Sequence, residues 1–166
     1  MFVLGIDPGL SRCGYGGVRA AAGGGRAALA GVLTTEASLA VPERLAALAR
    51  ELRTLIAECR PEVVVVERLF FQTNARTATS VAQSSGLALA AAAEAGCEVA
   101  QYTANEVKVA VAGYGSATKD QVQRMVQYQL GLAHPPRPPD AADALALALC
   151  HLTVGARLRR LTQAAP

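Results

Sequence analysis

A chain of 166 residues with 52% hydrophobic and 17% charged residues is long enough for one domain with a substantial core, and too apolar to be intrinsically disordered. No apolar run is long enough to cross a membrane and no cationic, apolar leader precedes the first predicted strand, so we expect a cytoplasmic protein with no membrane partner. The net charge of +3 is a weak indication of a polyanionic partner.

Cysteine and lysine usage narrows the kinds of site that the chain can carry. The four cysteines lie far apart without a CxxC pair, which argues against zinc and predicts free thiols in a reducing compartment. Fourteen arginines carry most of the positive charge, and the only lysines are Lys108 and Lys119. These two lysines either mark places that need a compact ammonium group or reflect chance.

The first half of the chain predicts four strands and one helix. Short apolar runs bounded by turn residues indicate the strands, and apolar residues spaced three and four apart indicate the helix. In chain order, the predicted elements are strands at 2–6, 14–19 and 27–34, a helix at 42–59 and a strand at 63–66. Ala and Gly at 20–25 predict a hairpin turn, and the four consecutive valines are typical of a parallel strand buried on both faces.

The second half predicts four helices and one more strand. Capping-box sequences begin at Thr103 and Thr118, Gly131 closes the helix that follows the second of them, and a Pro begins the last helix. The predicted elements are a helix at 74–93, a strand at 98–102, helices from 103 and 118, and a helix from 139. We therefore expect an α/β fold, with three antiparallel strands followed by parallel strands in one mixed sheet flanked by helices. One domain would span residues 1–156, followed by a basic, disordered tail at 157–166.

Acidic side chains end two of the predicted strands and begin the last helix. Asp7 follows the first strand, Glu67 follows the fourth, and Asp140 and Asp143 share one face of a helical turn. Taken singly, these acids could cap their own turns or favour a helix N-terminus. Together they would place four carboxylates in one crevice, where cations must offset their repulsion. Oxygen ligands favour Mg²⁺ or Mn²⁺ over Zn²⁺, and two such ions are the usual apparatus for hydrolysing a phosphodiester.

Four stretches spread in order over nearly the whole chain carry a family resemblance. They are GIDPG around Asp7, ERLFFQTN from Glu67, VKVAVAGYGSATK from Val107 and DAADALALALCH from Asp140. They resemble the RuvC family of bacterial Holliday-junction resolvases, within the ribonuclease H-like superfamily. The resemblance implies a ribonuclease H-like five-stranded sheet and a magnesium-dependent crossover junction endodeoxyribonuclease of DNA recombination and repair. Residues 20–30 match none of these stretches.

The resemblance also implies roles for individual residues. The metal-binding catalytic acids would be Asp7, Glu67, Asp140 and Asp143, holding two Mg²⁺ ions per site with Mn²⁺ as a substitute. Lys108 and Lys119 would be catalytic basic residues that contact DNA near the cleaved strand. The implied partners are four-way junction DNA and the branch-migration proteins RuvA and RuvB.

The segment that follows Glu67 predicts further DNA contacts. Phe70 and Phe71 are either core aromatics or a wedge that stacks on an unpaired base, and the resemblance points to Phe70 as the wedge. Asn74 and Arg76 are candidate contacts to backbone phosphates.

Resolution of a junction requires two symmetric nicks, which a two-fold homodimer would supply. The predicted helix 74–93 is rich in Ala, Ser and Gly, and small residues let two helices approach closely. The alternative is that this helix packs only on its own sheet.

Two other classes of function remain open at the level of sequence. A non-catalytic junction-binding protein would bind the same DNA, but it gives no reason for four acids to converge. Sugar-kinase and actin-like ATPases also begin with a strand that ends in Asp-x-Gly. They usually need a second such domain and a second Gly-rich phosphate hairpin, and this sequence has neither.

Overall fold

The computed structural model describes the backbone of residues 1–22, 24–69 and 75–163, and the side chains of 1–22, 24–69 and 78–155. The five strands are β1 Phe2–Asp7, β2 Arg12–Ala21, β3 Gly24–Thr34, β4 Val63–Glu67 and β5 Glu98–Tyr102. The five helices are α1 Val41–Cys59, α2 Ala75–Glu94, α3 Ala104–Ala112, α4 Lys119–Gln129 and α5 Pro139–Gln163.

The strands form one mixed sheet in the order β3-β2-β1-β4-β5. β2 pairs antiparallel with β1 and β3, whereas β4 pairs in parallel with β1 and β5. This arrangement confirms the predicted sheet, with its antiparallel strands first and its parallel strands afterwards. Because β1 and β4 are parallel neighbours, their carboxyl ends meet at the same edge of the sheet.

Two apolar layers lie on opposite faces of the sheet. Leu4 and Ile6 of β1 pack with residues of α1 and α2 on one face. Val3, on the opposite side of the same strand, packs with residues of α3, α4 and α5. Successive side chains of a strand point to opposite faces, so Asp7 belongs to the α5 face.

Glycines allow the backbone of α5 to lie directly on β1 and β2. A Cβ added at Gly5 would lie 2.0 Å from the carbonyl oxygen of Ala144, and one added at Gly14 would lie 2.2 Å from that of Asp140. Both distances are far shorter than any real contact, so only Gly permits this approach. Gly14 pairs with Asp7 at the end of β1. The close contact at Gly14 therefore also places the first turn of α5 beside the end of β1.

The predicted helix starts are confirmed by their caps. The Thr103 Oγ1 atom accepts a hydrogen bond from the Glu106 N–H at 3.1 Å, and the Thr118 Oγ1 atom accepts one from the Gln121 N–H at 3.3 Å. Gly131 follows α4 with a φ of 62°, as a helix-closing Gly should.

Two boundaries differ from the sequence-based expectation. The hairpin strands extend to Ala21 and Gly24, so the predicted turn at 20–25 is wrong in extent. Small Ala and Gly side chains leave the two backbones free to continue pairing there. The last helix runs to Gln163, so its backbone is helical through part of the segment predicted as a tail. The division of the chain at residue 156 stays a prediction.

None of the helices in the described ranges has the length and apolar composition that a membrane crossing requires.

Candidate active site

Asp7 and Glu67 end two neighbouring parallel strands on the α5 face of the sheet. The pairing of Ile6 with Val66 brings the two strand ends level. Both acids line a cleft of about 150 Å³ together with Asp143 of α5. Apolar side chains of α3, α4 and α5 and two lysines form the rest of its wall. Three of the four predicted acids therefore share one cleft.

Crowding and burial change the acidity of the strand-end carboxylates. The pKa of Asp7 is raised from 3.8 to about 7, first by burial and then by the negative charges of Asp143 and Glu67, while Lys119 opposes the rise. Burial and the charge of Asp143 also raise the pKa of Glu67. The cleft thus disfavours full ionisation of its acids, and a cation bound among them would relieve that cost.

A lysine at the start of α4 is paired with the acid of α5. The Lys119 Nζ atom donates a hydrogen bond to Asp143 Oδ2 at 3.0 Å. This bond, the charge of Asp143 and the charges of Asp7 and Glu67 together raise the pKa of Lys119, which therefore stays protonated. Lys108 lines the same cleft from α3. The structure accordingly brings both lysines to the predicted acids.

Asp140 lies beside the cleft and is held by an arginine. The Nε and Nη2 atoms of Arg12 donate to Asp140 Oδ2 at 2.9 and 2.8 Å. No motif predicts this role for Arg12, which opens β2 and lies 128 positions from Asp140. The sequence gives no signal for this pair, which depends on the register of the sheet: Asp7 pairs with Gly14, so the start of β2 lies beside the end of β1.

Carboxylates in a half-buried cleft have the chemistry that a hard divalent cation requires. Among the side chains that the structure describes, however, no three acidic, histidine or cysteine groups converge closely enough to coordinate one ion. Asp143 is bound to Lys119 and Asp140 to Arg12. Coordination by either acid would therefore require it to exchange part of its contact with a cationic side chain for the metal.

Several predicted residues cannot be placed at this site. Phe70, Phe71 and Asn74 lie outside the described residues, and Arg76 falls in the first turn of α2, where only the backbone is described. The four cysteines are free thiols, as predicted. Burial raises the pKa of Cys13 and of Cys150 to about 12, so neither is a thiolate at neutral pH.

Comparison with known proteins identifies relatives over nearly the full length. The family described as crossover junction endodeoxyribonuclease RuvC matches residues 3–151. The chain is 53% identical over 152 residues to the crossover junction endodeoxyribonuclease RuvC of Syntrophomonas wolfei, covering 92% of this chain and 88% of that protein. It is 51% identical over 166 residues to the protein of the same name from Salinispora arenicola, covering 99% and 95%.

A solved structure shows the same fold. Thermus thermophilus RuvC in complex with a Holliday junction substrate superposes with a TM-score of 0.88 at 39% sequence identity, covering 96% of each chain. The described sheet and its flanking helices therefore have the same arrangement as those of the Thermus thermophilus protein.

Proposed function

Because this chain belongs to the RuvC family of crossover junction endodeoxyribonucleases, we propose that it resolves four-way DNA junctions by paired, symmetric nicks. The observation that carries the proposal is the cleft in which Asp7, Glu67 and Asp143 meet Lys119. Clustered acids with an adjacent ammonium group suit phosphodiester hydrolysis, since the acids can hold metal and the ammonium can approach phosphate. A protein that only binds junctions would need basic side chains to contact phosphates, but it would not need the clustered acids.

The family consists of divalent-metal nucleases, and we propose Mg²⁺ as the metal here, two ions per site, with Mn²⁺ able to substitute. The proposed ligands are Asp7, Glu67, Asp140 and Asp143. Bound divalent ions supply an activated water and stabilise the departing oxygen. The raised pKa of Asp7 supports this assignment, because a bound cation would favour the ionised form that burial, and then the neighbouring negative charges, disfavour.

The basic side chains around the cleft are proposed to position the substrate. Lys119 is 76% exposed although it is bonded to Asp143, so its ammonium can turn toward a phosphate oxygen. Lys108 reaches the same cleft from α3 and would contact the cleaved strand. Arg12 holds one oxygen of Asp140 and would keep that carboxylate oriented toward the cleft.

We further propose that the protein acts as a homodimer joined through α2, since one cleft can nick only one strand. The small residues of this helix divide into buried and exposed ones. Ser85 is buried within the chain, whereas Gly86, Ala90 and Ala93 are exposed along one side. The exposed side is the surface on which a second copy of the chain could pack. Ala90→Glu should then give a folded monomer that nicks a junction without resolving it, and dimeric Ala90→Glu would contradict this interface.

The DNA contacts proposed for Phe70, Phe71, Asn74 and Arg76, and the partnership with RuvA and RuvB, rest on family resemblance. Phe70 would stack on an unpaired base, with Phe71 as the alternative. Asn74 and Arg76 would contact phosphates beside it.

The direct test is to incubate the protein with a labelled four-way junction, a linear duplex and an RNA–DNA hybrid, each with Mg²⁺, with Mn²⁺ and with a chelator. We expect paired nicks in the junction only, and only with metal. Tight junction binding without nicks in either metal would favour a non-catalytic binding protein. Stabilisation by ATP in a thermal-shift assay would instead favour the ATPase alternative.

A further inference from the structure

A second cleft, of about 340 Å³, lies between α4 and the proline-rich loop 134–138. Its charged lining consists of Asp120 and Arg124 from α4 and Arg137 from the loop, and Gln123 adds a neutral polar group. Prolines form the remaining wall, and proline has no backbone N–H to donate. Any anion in this cleft would therefore be bound mainly by the two guanidinium groups.

The two arginines are available for a ligand. Both are exposed, and within the described ranges neither has a carboxylate partner at salt-bridge distance. Arg53, by contrast, is paired with Glu94, and Arg12 is paired with Asp140. Asp120 lines the cleft without pairing with either arginine, so the net charge of the lining is positive by one.

The position of this cleft ties it to the catalytic one. Asp120 directly follows Lys119, and Pro139 of the second cleft directly precedes Asp140. Arg124 lies five residues after Lys119 on the same helix, a rise of about 7.5 Å. Five residues at 3.6 residues per turn also rotate the helix by about 140°, so Lys119 and Arg124 lie on different sides of the first turns of α4, and a strand that contacts both would pass around the start of this helix.

We propose that the cleft between Arg124 and Arg137 binds a backbone phosphate of the cleaved strand close to the scissile phosphate. The proposal rests on the proposed junction-cleaving function and names an additional contact for the same substrate. Guanidinium groups suit this task because their planar donors match phosphate oxygens. A contact of this kind fixes the position of the strand over Lys119 without reading its base sequence.

The first experiment measures junction binding in a chelator over a series of salt concentrations. Arg124→Gln and Arg137→Gln should each raise Kd about three- to tenfold and lower the slope of log K against log salt by about one. Asp120→Asn should lower Kd, because it removes a negative charge from the lining. Arg50→Gln is the matched control, since Arg50 is an exposed arginine of α1 on the other side of the sheet. It should leave both Kd and the salt slope unchanged.

The second experiment replaces single phosphates near the cut by neutral methylphosphonates. One of these positions should weaken binding by the wild type but not by Arg137→Gln, because the two changes remove the same contact. Equal weakening in both proteins would overturn the proposal.

Thermal unfolding of each variant serves to separate loss of the contact from loss of the fold. If the wild type nicks junctions with Mg²⁺ while the folded double variant Arg124→Gln/Arg137→Gln binds with unchanged Kd and slope, this cleft does not bind DNA and the proposed function stands. If the wild type neither binds nor nicks a junction, the proposed function itself fails.

Discussion

On the α1/α2 face of the sheet, Leu4, Ile6 and Val66 are fully buried among apolar helix side chains, whereas on the α5 face the strands bury Val3 and Val65 and then end in Asp7 and Glu67. The two faces share the same strands and the same alternation of side chains. The α5 face extends past its apolar layer into the cleft that these acids line. On this face of β1 and β4, Asp7 and Glu67 are therefore the first side chains beyond the buried apolar residues.

This difference separates what stabilises the protein from what performs its chemistry. The α1/α2 face has no acid at the ends of the described strands, so substitutions of its buried apolar residues should change stability alone. The α5 face carries like charges whose burial raises the pKa of Asp7 and of Glu67, so the fold bears an electrostatic cost at the site. Substitutions that neutralise these acids should raise stability while they lower activity.

The largest expected effect compares one residue from each face. Asp7→Asn should lower the cleavage rate about a thousandfold, because several kcal/mol of metal-dependent stabilisation are lost, while junction binding is kept or strengthened. Leu52→Ala, at a fully buried position of α1, should reduce the free energy of unfolding by about 2–5 kcal/mol with an unchanged rate per folded molecule. The measurements are single-turnover junction cleavage and denaturant unfolding. If Asp7→Asn cleaves junctions at the wild-type rate in saturating Mg²⁺, the α5 face is not the catalytic one.

The second-largest effect is expected for Gly5→Ala, a substitution that tests the contact holding α5 on the sheet. Gly5→Ala places a methyl group where the Ala144 carbonyl oxygen lies 2.0 Å away, so the helix must shift. We expect a loss of about 3 kcal/mol in the free energy of unfolding, together with reduced cleavage by the molecules that remain folded. Leu52→Ala serves as the control, because it lowers stability by a similar amount without moving α5. If Gly5→Ala keeps full activity per folded molecule, the approach of α5 does not position the acids.

Local patterns in the sequence were sufficient to predict most of the fold. The capping boxes at Thr103 and Thr118 concern residues three apart, and the strand β5 was predicted with the bounds 98–102 that it has. Each of these features depends on neighbours along the chain. The mixed sheet followed from the alternation of such elements, without knowledge of any tertiary contact.

The parts that sequence could not predict depend on residues far apart. The pair formed by Arg12 and Asp140 is separated by 128 positions, and the contact of Gly5 with Ala144 spans nearly the whole chain. An arginine in a chain with fourteen of them carries no local sign of its partner. A glycine inside a strand indicates a close approach of another backbone but not which one. Such contacts become visible only when the register of the sheet is known.

The electrostatic cost on the α5 face can be measured without any cleavage. Asp7 binds its proton below about pH 7 in the folded chain, but only below about pH 3.8 when unfolded. Between these values the folded state holds more protons, so its stability is complete below pH 3.8 and falls as pH rises through 7. Asp7→Asn should therefore be more stable than wild type at pH 8 in a chelator, by about 4 kcal/mol, with the difference vanishing below about pH 4.

The matched control for this pH dependence is Glu51→Gln, an exposed acid of α1, which should unfold like the wild type at both pH values. Adding Mg²⁺ at pH 8 should raise the thermal midpoint of the wild type more than that of Asp7→Asn, because binding to the folded state stabilises it. An unchanged wild-type midpoint at millimolar Mg²⁺ would count against the metal assignment.

The smallest expected effect concerns the shape of the cationic group at position 119 on the α5 face. Lys119 presents a compact ammonium 3.0 Å from Asp143 Oδ2, in a chain that otherwise uses arginine. Lys119→Arg keeps the charge, but its planar fork would engage both oxygens of Asp143 and hold that carboxylate more firmly. We expect the cleavage rate to fall about tenfold, and the Mg²⁺ concentration needed for half-maximal rate to rise, because the acid is less free to bind metal.

Lys108→Arg provides the comparison, since no bond from Lys108 to an acid of the cleft is found among the described residues. It should lower the rate without changing the Mg²⁺ requirement. Equal Mg²⁺ requirements in both variants would mean that Lys119 contributes only its charge.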